Sequence, residues 1–278
     1  MAAGRAPHEG RVSVTRVELS IGSLDLFRFT NYRHAFPRHT HERFTVGVFG
    51  PRNGSVRTHS GRYSAGPGTI LAVPPDQAHS AEPLRGSGWT YRTLYPSACI
   101  MDLALADSTA HPRPAFDRPV IADSSLARRL GELHTRLESG SPSLRVEEAL
   151  LELLRSLVDR HATRRTYVPT RVPAHAVVQA RNYIDAHFGA PVKLSDLSAV
   201  CGISAFHLIR SFRASVGMPP HAYLTQVRAN RARELLVRGE PLSAVAYTCG
   251  FSDQSHLTRI FKKIFGITPG AYVGSPSL

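Results

Sequence analysis

Two groups of side chains in this sequence could bind an ion or a nucleic acid. The first is three histidines: His39 and His41 in Phe36-Pro-Arg-His39-Thr-His41-Glu42, and His79 after Pro74-Pro75-Asp76-Gln-Ala. Neutral imidazoles suit divalent transition metals, and a His-x-His pair with a third ring brought in by turns can converge on one ion. The same rings can instead line or rim a pocket, or hydrogen-bond the strands around them. Glu42 directly follows the pair, and on an extended strand it points away from His41. The second set is two arginines, Arg210 and Arg259, in matching places of a repeated pattern. A guanidinium there suits a guanine edge or a phosphate.

The repeat lies in the last hundred residues. One copy reads Leu197-Ser198-x-x-x-Gly202-Ile203-Ser204-x-x-His207-Leu208-x-Arg210-x-Phe212-Arg213-x-x-x-Gly217-x-x-Pro220-x-x-Tyr223. The other reads Val245-Ala246-x-x-x-Gly250-Phe251-Ser252-x-x-x-His256-Leu257-x-Arg259-x-Phe261-Lys262-x-x-x-Gly266-x-x-Pro269-x-x-Tyr272. Each copy has the parts of a helix-turn-helix. A first helix starts at a serine cap, Ser195 or Ser243. Small Ser198 or Ala246 lets the helices cross closely, and Gly202 or Gly250 supplies the positive φ of the tight turn. Ser204 or Ser252 caps the second helix, which buries Leu208 and Phe212, or Leu257 and Phe261. A helix presented in this way suits the major groove. A helical-hairpin repeat with no DNA role is the plainer alternative, and matched arginines on matched faces argue against it.

The remaining elements position these residues. Residues 12–96 are short apolar runs, among them Leu24–Phe29, Phe44–Phe49, Thr69–Val73 and Trp89–Tyr95. Asn53-Gly54, Gly66-Pro67-Gly68 and Pro74-Pro75-Asp76 punctuate them, which predicts an antiparallel sandwich or barrel. On a late strand Trp89 and Tyr91 share one face and Arg92 takes the other. From Ser124 the period becomes helical. Leu126, Leu130, Leu133 and Leu137 form one stripe, and Val146, Leu150, Leu154, Leu157 and Val158 a second. This helical hairpin, about 124–162, either packs on its own β domain or pairs with a second copy, since an uncovered stripe needs a cover. Residues 163–173 read as a linker. Val177, Ala180, Ile184 and Phe188 mark a further helix. A long helix over His221–Arg238, ending at Gly239, would hold two reading heads about 34 Å apart, in successive major grooves.

Composition agrees with a DNA partner. The chain has 278 residues, 34 of them Lys or Arg against 21 Asp or Glu, for a formal charge of +13. Only Lys193, Lys262 and Lys263 are lysines. Such an excess favours a polyanion. Residues 171–278 hold 12 basic and 5 acidic side chains, a denser surplus than the first 170, with 22 and 16. Three scattered cysteines argue against a disulfide framework. No apolar run approaches the roughly 18 residues of a membrane span, and Met1-Ala-Ala-Gly-Arg-Ala-Pro-His-Glu lacks a signal-type apolar stretch. The expectation is a cytoplasmic chain of two domains with no membrane partner.

Gly250-Phe-Ser-Asp-Gln-Ser-His-Leu-Thr-Arg-Ile-Phe-Lys-Lys-Ile-Phe-Gly-Ile-Thr-Pro-Gly-Ala-Tyr272 resembles the signature of the arabinose-regulator (AraC/XylS) family of bacterial transcription factors. The histidines, with Pro-Gly and Pro-Pro turns between them, resemble the small cupin-type barrel that precedes the DNA-binding domain in that family. The resemblance implies an α+β, two-domain fold: a cupin-like antiparallel β-barrel with its helical hairpin over 1–162, and an all-α tandem helix-turn-helix domain over 174–278. Carried over by position, the base-reading residues are Phe206, Ile209 and Arg210, then Gln254, Ser255, His256 and Arg259. Gln254 suits adenine, whereas Ile209 offers only apolar contact, as with a thymine methyl. Ser195, Arg213, Arg228, Ser243, Lys262 and Lys263 are assigned to phosphates, which position without reading sequence. His39, His41, His79, Trp89 and Tyr91 are assigned to an effector pocket.

The resulting expectation is an effector-responsive, sequence-specific transcription regulator and not an enzyme. Its implied partners are double-stranded DNA, a small-molecule effector, a second copy as homodimer, and RNA polymerase. Activation is the commoner outcome in the family. No cofactor is expected, unless His39, His41 and His79 hold a divalent metal. One alternative is a cupin-type metalloenzyme with a DNA-binding tail. Enzymes of that type add a Glu about four residues after the pair, where this chain has Thr45 and Val46. The other is a non-specific, nucleoid-type DNA binder, which would leave a sensor-like domain without a purpose.

Overall fold

Strand-forming alternation over the first hundred residues yields nine strands in the computed structural model, which describes residues 10–106, 114–140, 143–163 and 175–274. They are β1 (Arg11–Leu19), β2 (Gly22–Tyr32), β3 (Phe36–His39), β4 (Thr45–Phe49), β5 (Gly54–Thr58), β6 (Gly61–Ala65), β7 (Thr69–Val73), β8 (His79–Pro83) and β9 (Trp89–Pro96). Helix α1 (Ala98–Leu105) and strand β10 (Val120–Ala122) follow. Six strands pair in the order β1-β2-β9-β4-β7-β10 and four in the order β3-β8-β5-β6, all antiparallel. The expected cupin-like barrel is thus a jelly roll of two facing sheets, not a closed cylinder. Asn53-Gly54 is not simply a turn. Gly54 opens β5, and a side chain there would run into the Trp89 ring and the Glu82 carbonyl.

Register explains which side chains face inward. Tyr91 lies opposite Phe29 on one side and Phe49 on the other. Alternation along β9 then turns Trp89, Tyr91, Thr93 and Tyr95 toward the interior, and all four line one cavity. Arg92 points the other way and pairs with Glu138.

The hairpin forms as α2 (Ser124–Glu138) and α3 (Leu144–His161), with Asp123 capping α2 through the Leu126 N–H. Its apolar stripes are covered within the same protomer. Leu126, Leu130, Leu133, Leu137, Leu150, Leu154 and Leu157 are buried in one core with Leu24, Val46 and Leu94 of the sheet. Helix α1, which the sequence pattern does not announce, adds Ile100, Met101 and Ala104 to that core. The stripes therefore demand no second copy and lend no support to pairing.

Of the linker, Thr163 pairs with Ala115, and residues 164–173 lie outside the described residues. The tail comprises α4 (His175–His187), α5 (Leu194–Cys201), α6 (Ala205–Val216), α7 (Pro220–Val237), α8 (Leu242–Thr248), α9 (Gln254–Phe265) and α10 (Pro269–Val273). Val177, Ala180, Ile184, Leu208 and Phe212 make one core, and Leu257, Phe261, Ile264 and Phe265 join a second that includes the sheet residues Phe27, Phe29 and Tyr91. Helix α7 serves both halves of the tail and buries Tyr223, Val227, Ala229, Ala232 and Leu236.

Candidate DNA-reading surface and effector cavity

The two motifs are α5–α6 and α8–α9. Gly202 and Gly250 sit at their turns with φ of 64° and 70°, so the left-handed bend that glycine tolerates is present in both. The caps differ from expectation. Helix α5 begins at Leu194, with Asp196 accepting from the Lys193 N–H at 3.0 Å, and α8 begins at Leu242. Ser195 and Ser243 therefore lie inside the first turns, exposed, and are not caps. Ser204 does cap α6 through the His207 N–H, at 3.3 Å. In the second motif the inserted residue shifts this task from Ser252 to Asp253, whose carboxylate accepts from the His256 N–H at 2.7 Å.

The outer faces of α6 and α9 carry the candidate readers. Phe206 is 77% exposed, and Arg210, Arg213, Gln254, Ser255, Arg259, Lys262 and Lys263 are exposed as well. Among the described residues, Arg210, Arg213, Arg259, Lys262 and Lys263 make no ion pair, whereas Arg16, Arg62, Arg92, Arg181 and Arg231 each meet a carboxylate. Cations left without acids give the two matched helix faces a surplus of positive charge. Three assigned residues stand differently. Ile209 is half-buried in an apolar recess with Ile184, Leu197 and Leu224. The His256 ring is held by Ser252 at 3.0 Å and lies edge-on to Phe251. Arg228 donates to the carbonyls of Phe188 and Ala190 at 2.8 and 2.9 Å, so it ties the end of α4 to α7 instead of reaching for phosphate.

All five assigned pocket residues line a single cavity between the sheets. His39, His41, His79, Trp89 and Tyr91 share it with Phe27, Phe29, Phe36 and Phe49, and its free volume is about 50 Å³. Strand pairing brings the imidazoles together, because His39 lies directly opposite His79. Their ring centroids are 4.4 Å apart, and His41 lies 4.7 and 5.1 Å from the two. Nδ1 of His39 is 2.6 Å from the Pro37 carbonyl, and Nδ1 of His79 is 2.9 Å from that of Gln77. Burial pushes His39 down to about 4 and His79 to about 3, the latter aided by His39, and drives His41 well below the usual imidazole range. Shifts in this direction leave the rings neutral at physiological pH, the form that can ligate a metal. Glu42 takes no part, because its carboxylate accepts from Asn230 of α7 at 3.0 Å.

Sequence reasoning missed the part of the cavity wall that comes from the tail. Arg233 of α7 and Ile264 and Phe265 of α9 close it from the tail, with the Arg233 guanidinium over the Phe265 ring at 5.4 Å. Further contacts join the same surfaces. The Tyr32 hydroxyl donates to the Gly266 carbonyl, and Arg16 of β1 donates to the Tyr272 hydroxyl at 2.8 Å. The available signal was the apolar pair Ile264-Phe265 directly after Lys262-Lys263, beyond the Leu257 and Phe261 that the motif's own core uses.

Comparison with known proteins agrees with both halves. A family profile described as AraC-like ligand binding domain matches residues 22–154, and one described as helix-turn-helix domain matches 197–275. The uncharacterised HTH-type transcriptional regulator YbfI of Bacillus subtilis is 32% identical over 237 residues, 84% of this chain and 86% of that protein. The HTH-type transcriptional activator RhaR of Pectobacterium atrosepticum is 31% identical over 137 residues, 49% of this chain and 48% of that protein. Crystal structures of ToxT from Vibrio cholerae share the fold. An apo form of a single-residue ToxT variant has a TM-score of 0.58 at 11% identity over 97% of this chain and 98% of that one. A wild-type form with an unsaturated fatty acid bound has 0.57 at 12% over 98% of each. With a ligand-binding sheet domain, a tandem reading head and a full-length relative of this kind, the chain belongs to the AraC family of helix-turn-helix transcriptional regulators.

Proposed function

We propose that the chain reads one face of a DNA duplex with both motifs, under control of a small molecule that enters the cavity. The observation that carries this is the shared helix: α9 presents Gln254, Ser255 and Arg259 outward at one end and lines the cavity with Ile264 and Phe265 at the other. A space of about 50 Å³ holds a few waters at most. A larger effector would press on that wall, and the wall is part of the reading head. Binding thus biases the population between docked and released arrangements of the second motif.

The lining indicates the effector's chemistry. Aromatic faces dominate, Arg233 is the one arginine or lysine among the described lining residues, and the Thr45 hydroxyl and Trp89 indole N–H are buried without hydrogen-bond partners. Buried polar groups are normally satisfied. An apolar molecule bearing one anionic or acceptor group would satisfy them, and the unsaturated fatty acid bound in ToxT pairs an apolar chain with such a group. The reading is regulatory and not enzymatic, since the nearest acid in the sequence, Glu42, is engaged with Asn230. We infer activation, as the name of the RhaR relative, a transcriptional activator, suggests, with RNA polymerase as the partner. Function on DNA would place the chain in the cytoplasm, and no described helix is long and apolar enough to cross a membrane. One chain carries both heads, so single occupancy suffices to read two grooves; a homodimer would double the footprint.

Selection of bound fragments from random duplex DNA by the full chain tests the reading. The expected outcome is a motif with two half-sites about one helical turn, 10–10.5 bp, apart, whose recovery changes with added lipophilic acids. Recovery of random sequence would overturn it.

A further inference from the structure

We propose that His39, His41 and His79 form a binding site for one divalent transition-metal ion, open toward the cavity. One ring nitrogen from each of the three lies within 4.8 Å of the others. Nε2 of His39 and Nε2 of His41 are already 3.1 Å apart. A tetrahedral ion with metal–nitrogen bonds of about 2.0–2.1 Å holds its ligand nitrogens about 3.3 Å from each other. One pair therefore stands at bonding separation, and modest ring rotation brings in the third.

The tautomers favour the same conclusion. A carbonyl can only accept, so the contacts of His39 Nδ1 with Pro37 and of His79 Nδ1 with Gln77 place a proton on each Nδ1. Each Nε2 is left with a bare lone pair. Metal-binding histidines are oriented in this way, the far N–H held by a carbonyl and the near nitrogen free for the ion. Strand pairing and burial then fix the rings: His39 and His79 are 4% and 2% exposed.

The ligand set also selects the ion and its further partner. Three imidazoles suit zinc, iron, nickel or copper and not magnesium or calcium. Among the described residues no carboxylate lines the cavity, so a bound ion would keep both positive charges. An anionic group of a ligand in the cavity, which Tyr95, Thr45 and Arg233 also line, could complete its coordination. Metal occupancy itself does not depend on the DNA-reading proposal.

The test uses the full chain, stripped with EDTA and titrated with Co²⁺. One equivalent should bind, with the visible absorption of a nitrogen-ligated, low-coordinate site, and Zn²⁺ should displace it. His41→Gln, at the least buried of the three rings, should weaken binding at least about tenfold, a loss seen even when only the groups around a ligand are disturbed. His59→Gln, at an exposed histidine outside the cluster, should change nothing. Ring-nitrogen NMR of the unmutated chain with Zn²⁺ adds a measurement independent of folding in the variants, with Nε2 of these three rings expected to shift. Less than about a tenth of an equivalent bound, unchanged affinity in a folded His41→Gln chain, or shifts confined to other histidines would each overturn the site.

Discussion

The two helix-turn-helix motifs have the same interior and different surroundings. Leu208 and Phe212 in the first match Leu257 and Phe261 in the second, and all four are fully buried. Outside that shared core the copies diverge. Where the first presents Phe206 and the half-buried Ile209, the second presents Ser255 and Thr258. Tyr223 donates to Asp185 and takes a hydrogen bond from Arg181, both on α4, whereas the matching Tyr272 meets Arg16 of the sheet domain. The end of α6 leaves Val216 half-buried, while its counterpart Phe265 on α9 closes the cavity. A repeat can keep one fold through its buried positions while its surfaces take different tasks. Both copies touch the sheet domain, the first where Gly217 abuts Ala78 and Arg38, but only the second lines the cavity.

The largest expected effect breaks that junction. Phe265→Ala should destabilise the full chain by about 3–5 kcal/mol, the usual range for a buried phenylalanine, and Val216→Ala by much less. Chemical denaturation of the two variants measures this, and equal losses would mean that both motifs are held alike. Next in size is reading itself. Arg259→Ala should reduce the preference for the selected sequence over random DNA by about 1–3 kcal/mol, as for loss of a bidentate base contact. If competition binding showed that preference intact, Arg259 would be a phosphate contact instead.

The smallest effect separates the caps. Ser204→Ala should cost about 1 kcal/mol at any pH. Asp253 behaves differently, because the His256 N–H, with help from the Ser252 hydroxyl, holds its carboxyl below the ordinary range. Its folded value lies below its unfolded one, so the stability it contributes is complete above the ordinary carboxylate value near 3.8. That stability is lost as pH falls through the lowered folded value. Hydrogen exchange followed into acid should show α9 amides losing protection before those of α6, and simultaneous loss would remove the distinction.

Much of this protein could be read from its residues alone. The period-2 pattern of β9 places Trp89 and Tyr91 inward and Arg92 outward, as observed. The glycines at 202 and 250 mark the turns, and the repeat marks the helices that carry Arg210 and Arg259. These are local matters, set by how successive side chains alternate or wind along one element. Tertiary structure decided what local pattern cannot. The stripe on α2 and α3 is equally good for a partner or for its own sheet, and only packing shows that the sheet covers it. Arg228 looks like any exposed arginine on a helix until the carbonyls at the end of α4 arrive beside it. The sealing of the cavity by Arg233, Ile264 and Phe265 joins residues far along the chain from the histidines they face. Such docking is a sum of many small contacts between distant surfaces, and a sequence read segment by segment carries no sign of which surfaces will meet.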